Sequence, residues 1–258
     1  MFVVLMVVLA ALLSLQQPET LSLLGEPLYP PKLSKDARVA AEAELQRAHA
    51  GYTANPSGVA EILALHRAHL ALGRVSDALI VLTHGIEANP DALELYLERG
   101  RGYILIRKFQ VAQRDLNKAS PKLPAARCSL GLAQYLAGDY ARAHTTYAEC
   151  KDGGVFAYLA ERRAGGKPTQ RPVTDGPLVA ASAPIRFPGT AAKEKVTAPE
   201  SLSGAYLTAI ELLLDGHPDA ARERLKQVVE KNRNSWMDSA YIAAEADYAR
   251  LNKPARKK

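Results

Sequence analysis

The chain is poor in aromatic and sulfur-containing residues. Aromatic side chains make up 6% of its 258 residues, and there are only two cysteines. Apolar residues still reach 48%, with alanine abundant, and this composition favours closely packed helices over a β-sandwich. No segment alternates apolar and polar residues between turn signals, so we expect almost no sheet. The composition therefore predicts an all-α protein of one or two domains.

Motifs that carry chemistry are also missing from the sequence. It contains no phosphate-binding loop, no metal-ligand spacing and no nucleophile motif. His66, His69 and His84 could come near one another, but the pattern fixes no carboxylate beside them, so a zinc site is disfavoured. We therefore expect a protein that is not an enzyme and that holds no cofactor.

Only one long hydrophobic run is present, at Phe2–Leu15, which carries no charge. Fourteen helical residues span about 21 Å, which is short for a bilayer and suits the core of a signal peptide. No Lys or Arg precedes the run, and no cysteine follows it closely enough to support a lipoprotein anchor. We predict a signal peptide or N-terminal anchor at 1–20 and an extracytoplasmic (periplasmic or secreted) protein that can associate with a membrane or envelope through this segment. A cytosolic core helix is the remaining alternative.

The positive charge is concentrated at one end of the chain. The formal net charge is +6, but four basic residues fall within 253–258, and without them the charge is +2. A nucleic-acid-binding protein would carry basic residues as a stripe on its folded elements, so no nucleic-acid partner is expected. We interpret the basic tail 253–258 as solvated, with attraction to anionic membrane or cell-wall polymer as the alternative.

A repeat runs through the middle of the chain. Pro56, Pro90 and Pro124 are spaced 34 residues apart. A glycine, then an alanine five residues later, then a large apolar residue four further on, occurs in three segments: Gly73, Ala78 and Leu82; Gly138, Ala143 and Tyr147; Gly216, Ala221 and Leu225. A fourth segment keeps Ala112 and Leu116 but has Arg107 at the glycine position. The glycine suits a tight turn between two helices, and the alanine lets the second helix approach the first closely.

The helix that precedes each turn carries a second pattern. Tyr96, Gly100 and Tyr103 have the aromatic–glycine–tyrosine spacing of a tetratricopeptide repeat, and Leu130-Gly131 matches its central pair. The residue at the glycine site lies twelve before the alanine of the second helix in all four segments: His66, Gly100, Gly131 and Ala209. About half of the chain thus resembles tetratricopeptide repeat (TPR) proteins.

This resemblance implies an α-α hairpin solenoid. We assign a TPR-like helical array to 34–163, whose first helix spans 34–50, and a C-terminal helical repeat segment to 201–252. Between them, 164–200 holds six prolines and is interpreted as a Pro/Gly-rich linker, or alternatively as an extended strap across the helices. The three C-terminal helices, expected at 203–214, 218–231 and 235–251, either dock on the array or form a separate small bundle.

The resemblance also implies that the first helix of each hairpin lines a concave groove. Helical spacing and the repeat register then place eight residues in this groove: Leu63, Arg67, Leu70, Leu97, Arg101, Ile104, Leu132 and Tyr135. Arginine can bind a carboxylate with two hydrogen bonds, and leucine-rich walls suit an extended or helical peptide. The alternative is that the two arginines lie over the groove or pair with Glu98.

We therefore predict a scaffold that binds a protein or peptide ligand on its concave face. The second hypothesis is an architectural subunit of a cell-envelope assembly that acts through the linker and the basic tail. Neither hypothesis fixes the oligomeric state.

The two cysteines, Cys128 and Cys150, lie on the two helices of one predicted repeat. A disulfide is geometrically feasible there, and an exported chain could form it. Free cysteine packs as a small apolar residue, so we favour two buried thiols and keep the disulfide as the alternative.

Overall fold

The computed structural model describes residues 17–150, 153–168, 172 and 201–253. Eleven α-helices lie in these ranges, in the order α1 Lys35–Ala54, α2 Val59–Ala71, α3 Val75–Ala88, α4 Leu93–Leu105, α5 Phe109–Ala119, α6 Pro124–Ala137, α7 Tyr140–Ala148, α8 Gly154–Arg163, α9 Leu202–Leu214, α10 Pro218–Lys231 and α11 Ser239–Leu251. Each helix of the array packs on the next one in the chain. The all-α prediction is confirmed, and the consecutive packing is that of a helical repeat.

Three predicted segments fall wholly or mostly outside the described residues. They are the apolar run Phe2–Leu15, most of the linker 164–200, and the basic tail 253–258 apart from Lys253. Among the helices that are described, none is long and apolar enough to cross a membrane.

The turns within the hairpins follow the predicted glycine pattern. Gly73, Gly138 and Gly216 have φ values of 71°, 89° and 86°, in the left-handed region that glycine enters without steric cost. Arg107, which replaces the glycine in the fourth segment, has φ 63° and is the one non-glycine residue with positive φ in the described ranges. The turn geometry is therefore kept even where the sequence pattern breaks.

Small residues let the paired helices approach each other closely. The alanine of the second helix is fully buried in all four hairpins: Ala78, Ala112, Ala143 and Ala221. A Cβ placed on Gly100 would lie 2.6 Å from Cγ of Leu116, and one placed on Gly131 would lie 3.1 Å from the ring of Tyr147. Because larger side chains would not fit at these crossings, the glycine and alanine positions fix how the hairpins pack.

Helix α1 covers one end of the array, as the sequence predicts for an atypical terminal repeat. Its N-terminus is capped by Ser34, whose hydroxyl oxygen accepts a hydrogen bond from the Ala37 amide at 3.2 Å. Ala48 is its buried residue, while Leu45 and Tyr52 pack partly against the core. The helix therefore presents one face to α2 and leaves the opposite face exposed.

The C-terminal segment docks on the array rather than forming a separate bundle. Helix α9 packs on α8, and α11 packs on α6. The third helix begins at Ser239, later than predicted, because residues 233–235 form a 3₁₀ turn and Asp238 caps the helix through the Ala240 amide at 2.7 Å.

Residues 17–34 form an N-terminal segment that crosses the hairpin turns. We call this segment the strap; it is not the linker 164–200 considered above. The strap holds the described sheet, one antiparallel pair of two-residue strands, β1 Thr20–Leu21 and β2 Pro27–Leu28. Its prolines lie so close to the first turn that a Cβ on Gly73 would come within 2.5 Å of Pro31. The indole Nε1 of Trp236 donates to the Tyr29 carbonyl at 2.6 Å, so the strap also holds the C-terminal segment.

A buried ion pair forms where the strap and α11 meet the turn at Arg107, between α4 and α5. The Nη2 of Arg107 lies 2.5 Å from Oε2 of Glu245, and the two side chains are 3% and 0% exposed. Arg107 also donates to the Trp236 carbonyl at 3.0 Å, and the Leu23 amide donates to the other Glu245 oxygen. We call this region, together with the contacts of α9 and α11 on the array, the seam.

Candidate functional site

The predicted groove is only partly open. Arg67 is exposed, and Leu63 and Arg101 are half-buried. The remaining five predicted residues are buried: Leu70, Leu97, Ile104, Leu132 and Tyr135. Of the eight predicted groove residues, the accessible ones therefore lie on α2 and α4.

In the third hairpin both predicted groove residues, Leu132 and Tyr135, are buried, contrary to the expectation that they face an open groove. The Tyr135 ring is fully buried and packs edge-to-face on Phe156 of α8, with centroids 5.4 Å apart. Its hydroxyl lies 2.7 Å from the hydroxyl of Tyr206 on α9. These contacts place Tyr135 in the interior, under the docked helices, where a ligand on the concave face would not reach it.

A line of polar contacts joins the first helices of three hairpins. Arg101 on α4 donates from Nη1 to Glu98 at 2.9 Å and from Nε to the Ser129 hydroxyl on α6 at 3.1 Å. The hydroxyl of Ser129 in turn donates to the Ala125 carbonyl at 3.1 Å. Arg101 therefore follows the alternative interpretation, pairing with Glu98, and its guanidinium is already partly satisfied.

His66 extends this line onto α2. Its side chain is 1% exposed, with Nδ1 3.3 Å from the Ala78 carbonyl and Nε2 3.9 Å from Oε2 of Glu98. Burial lowers the pKa of His66 to about 4, and the charges of Arg67 and Arg101 act in the same direction. The ring is therefore neutral at pH 7, with Nδ1–H donating to the carbonyl and Nε2 left without a hydrogen-bond partner.

Arg67 differs from the other polar residues of this face. It lies 34 residues before Arg101, in the same repeat register, yet it makes no ion pair or side-chain hydrogen bond with any described residue. Leu63 lies one helical turn before it and is half-buried. We define the concave site, named after the predicted groove, as Leu63, Arg67, Glu98 and Arg101.

No metal centre is found in the described ranges, because they contain no group of three His, Cys, Asp or Glu side chains that could hold an ion. The three histidines considered above are in different environments. His66 is buried, His69 lies 3.6 Å from Asp77, and His84 is exposed.

The two cysteines are bonded. Cys128 on α6 and Cys150, just beyond α7, form a disulfide with an S–S distance of 1.95 Å and a Cα–Cα distance of 5.4 Å. The favoured interpretation of two buried thiols is therefore wrong, and the disulfide alternative is the one observed. The bond ties together the two helices of the third hairpin.

Ser129 is the residue of this face that the sequence reasoning missed. The third copy comes three residues early, and in that shifted register Ser129 is the counterpart of Glu98. The repeat pattern could therefore have paired it with Arg101. The buried His66 ring had no such signal, because its Ala78 partner is a backbone carbonyl.

Comparison with known proteins gives no assignment for this arrangement. No protein-family model matches the chain, and no curated protein matches it significantly. The geometry of the concave site is therefore the basis on which a function can be inferred.

Proposed function

We propose that this chain is a non-enzymatic scaffold of the tetratricopeptide type that acts outside the cytoplasm and binds a protein or peptide on its concave face. The repeat register and the consecutive packing of the hairpins support a scaffold. The single observation that carries the binding proposal is Arg67, an exposed arginine without an ionic partner among the described residues, beside Leu63.

The concave site suits a short segment with one acidic group and an apolar neighbour. The Arg67 guanidinium would bind the carboxylate through paired N–H donors, and Leu63 would contact the apolar side chain. Glu98 and Arg101 already neutralise each other, so the net positive charge of the site comes from Arg67. Because the residues of the concave site lie on α2 and α4, the segment would span two hairpins.

The proposed location outside the cytoplasm draws support from the disulfide between Cys128 and Cys150, since disulfides persist mainly in oxidising compartments. The apolar run Phe2–Leu15 supports export as well. The Glu19 carboxylate accepts a hydrogen bond from the Ser76 amide at 2.8 Å, so we expect a mature chain to keep Glu19. N-terminal sequencing of the mature chain should find a start before Glu19.

Charge reversal at Arg67 tests the binding proposal. We expect Arg67→Glu to lose partners that the unaltered chain captures by crosslinking in cells, and to bind the purified partner about tenfold or more weakly. Arg114→Glu is the matched control, because Arg114 is an exposed arginine on α5, the second helix of its hairpin. If both variants retain the same partners with the same affinity, the concave site is not the binding surface.

A truncation separates the second hypothesis from the first. Deleting residues 252–258 should leave partner capture unchanged if the concave site binds. If the truncated chain loses the partners while the Arg67→Glu variant still captures them, the architectural subunit is favoured instead.

A further inference from the structure

A pocket of about 280 Å³ lies in the seam between the array and the C-terminal segment. Tyr140 and Arg163 line it from the array, and Asp247 and Arg250 line it from α11. The rest of the wall is apolar and consists of three leucines: Leu213, Leu214 and Leu251. The pocket is separate from the concave site and shares no residue with it.

Two arginines share one carboxylate at the polar end of this pocket. The Nη1 atoms of Arg163 and Arg250 lie 2.9 and 2.7 Å from the same Asp247 oxygen, and the Tyr140 hydroxyl donates to it at 3.3 Å. The second Asp247 oxygen accepts from Tyr206 at 2.7 Å. Asp247 is therefore saturated with donors, and the polar end keeps one uncompensated positive charge.

Arg163 has donors that Asp247 does not use. Its side chain is 5% exposed, and its guanidinium lies over the Tyr140 ring at 4.4 Å. Only its Nη1 has a hydrogen-bond partner among the described residues, so Nε and Nη2 remain unpaired there. Unused N–H groups of a mostly buried guanidinium that lines a pocket favour a bound anion.

We propose that this pocket binds a small organic carboxylate with a short apolar chain. The carboxylate takes the excess charge of Arg163 and Arg250 through charge-assisted hydrogen bonds, and the apolar chain lies against the leucines. A monocarboxylate matches the single excess charge.

Binding should also strengthen the docking of the C-terminal segment. The pocket walls come from both sides of the seam, so a ligand in the pocket contacts Arg163 of the array and Leu213 of the segment at once. A ligand that binds only the docked state stabilises that state by mass action.

The test uses the full chain with hexanoate as the probe. Calorimetric titration measures binding, and thermal unfolding measures the melting temperature. We expect saturable binding of hexanoate and a melting temperature that rises with its concentration, whereas hexylammonium and 1-hexanol should do neither. Equal binding of hexylammonium, or no saturable binding of hexanoate, would overturn the proposal.

Two variants and one control locate the site. Arg163→Gln should weaken hexanoate binding by about tenfold, whereas Arg162→Gln, its neighbour on α8, should leave it unchanged. If Arg163→Gln loses its helical circular dichroism, Leu213→Trp decides, because it fills the pocket and leaves both arginines in place. Hexanoate binding that survives Leu213→Trp would contradict the assignment, and neither variant affects Arg67.

Discussion

The array and the seam are held together in different ways. In the array, helices that are adjacent in sequence pack through small and apolar residues such as Gly100, Ala112 and Leu116. In the seam, segments far apart in sequence meet through buried charges, of which Arg107 and Glu245 are separated by 138 residues. Apolar packing in the array is non-directional, whereas a buried charge such as that of Arg107 depends on one specific partner.

This difference determines how each region should respond to damage. A hairpin of a repeat array contacts mainly its neighbours, so a defect there has a limited effect. A buried charge that loses its partner stays uncompensated in a medium of low dielectric, so a defect in the seam has a large effect. The seam is therefore the more sensitive region, although the array is larger.

The largest effect is expected in the seam, from Glu245→Ala. The substitution leaves the buried Arg107 guanidinium without its carboxylate and the Leu23 amide without an acceptor. We expect the free energy of unfolding in urea to fall by about 3 to 5 kcal/mol.

Glu44→Ala is the matched control for this experiment. Glu44 pairs with Arg47 on the surface of α1, with side chains 53% and 73% exposed, and such pairs contribute about 0 to 1 kcal/mol. If Glu245→Ala is no less stable than Glu44→Ala, the contrast between seam and array is not as described.

The second effect, in the array, is a loss of stability in acid that comes from His66. Its pKa is lowered by burial from 6.5 to about 4, so between these pH values the unfolded chain binds a proton that the folded chain does not. The stability linked to His66 is therefore fully present above pH 6.5 and is lost as the pH falls to about 4. The loss should reach about 3 kcal/mol.

Comparison of two variants separates the contribution of His66 to the acid sensitivity from that of other titrating groups. Burial lowers the pKa of His69 and so adds to the acid sensitivity, whereas burial raises the pKa of Asp238 and acts in the opposite direction. His66→Gln should lose less stability than the unaltered chain between pH 7 and pH 4.5, and His144→Gln, at an exposed site, should follow the unaltered chain. Identical pH profiles for all three proteins would contradict the burial of a neutral His66.

The smallest effect is expected at a helix crossing of the array. Gly100→Leu should lower the free energy of unfolding by about 1 to 3 kcal/mol, because its side chain would overlap Leu116. In Gly51→Leu the same change occurs on α1, where a Cβ meets only Glu61 at 3.9 Å, and it should be neutral or stabilising by about 1 kcal/mol. Similar melting temperatures for the two variants would rule out the close crossing at Gly100.

The hairpins were predictable because their determinants are local and repeat. Gly73, Gly138 and Gly216 have the left-handed φ that their place in the pattern predicts. Arg107 was recognisable as an exception in the same position, but its buried role depends on Glu245, which lies far along the chain. Such long-range pairing leaves no periodic signal in one sequence.

The concave site was predictable only in part. Leu63, Arg67 and Arg101 are at least partly accessible, as the helical spacing suggests. Tyr135 has the same spacing but is covered by α9, which is separated from it by the linker. The disulfide was wrongly disfavoured for a related reason, since spacing sets only which helices carry the cysteines and not whether their sulfur atoms meet.

The sequence by itself determined the helices, the turns between them and the small residues at their crossings, because these depend on neighbours within one repeat. Only the tertiary structure decided where the strap and α11 lie, which part of the concave face stays open, and that Arg107 meets Glu245. The reason is physical: a buried charge is compensated by whichever group the fold brings within about 3 Å, and the position of that group in the chain is unrestricted.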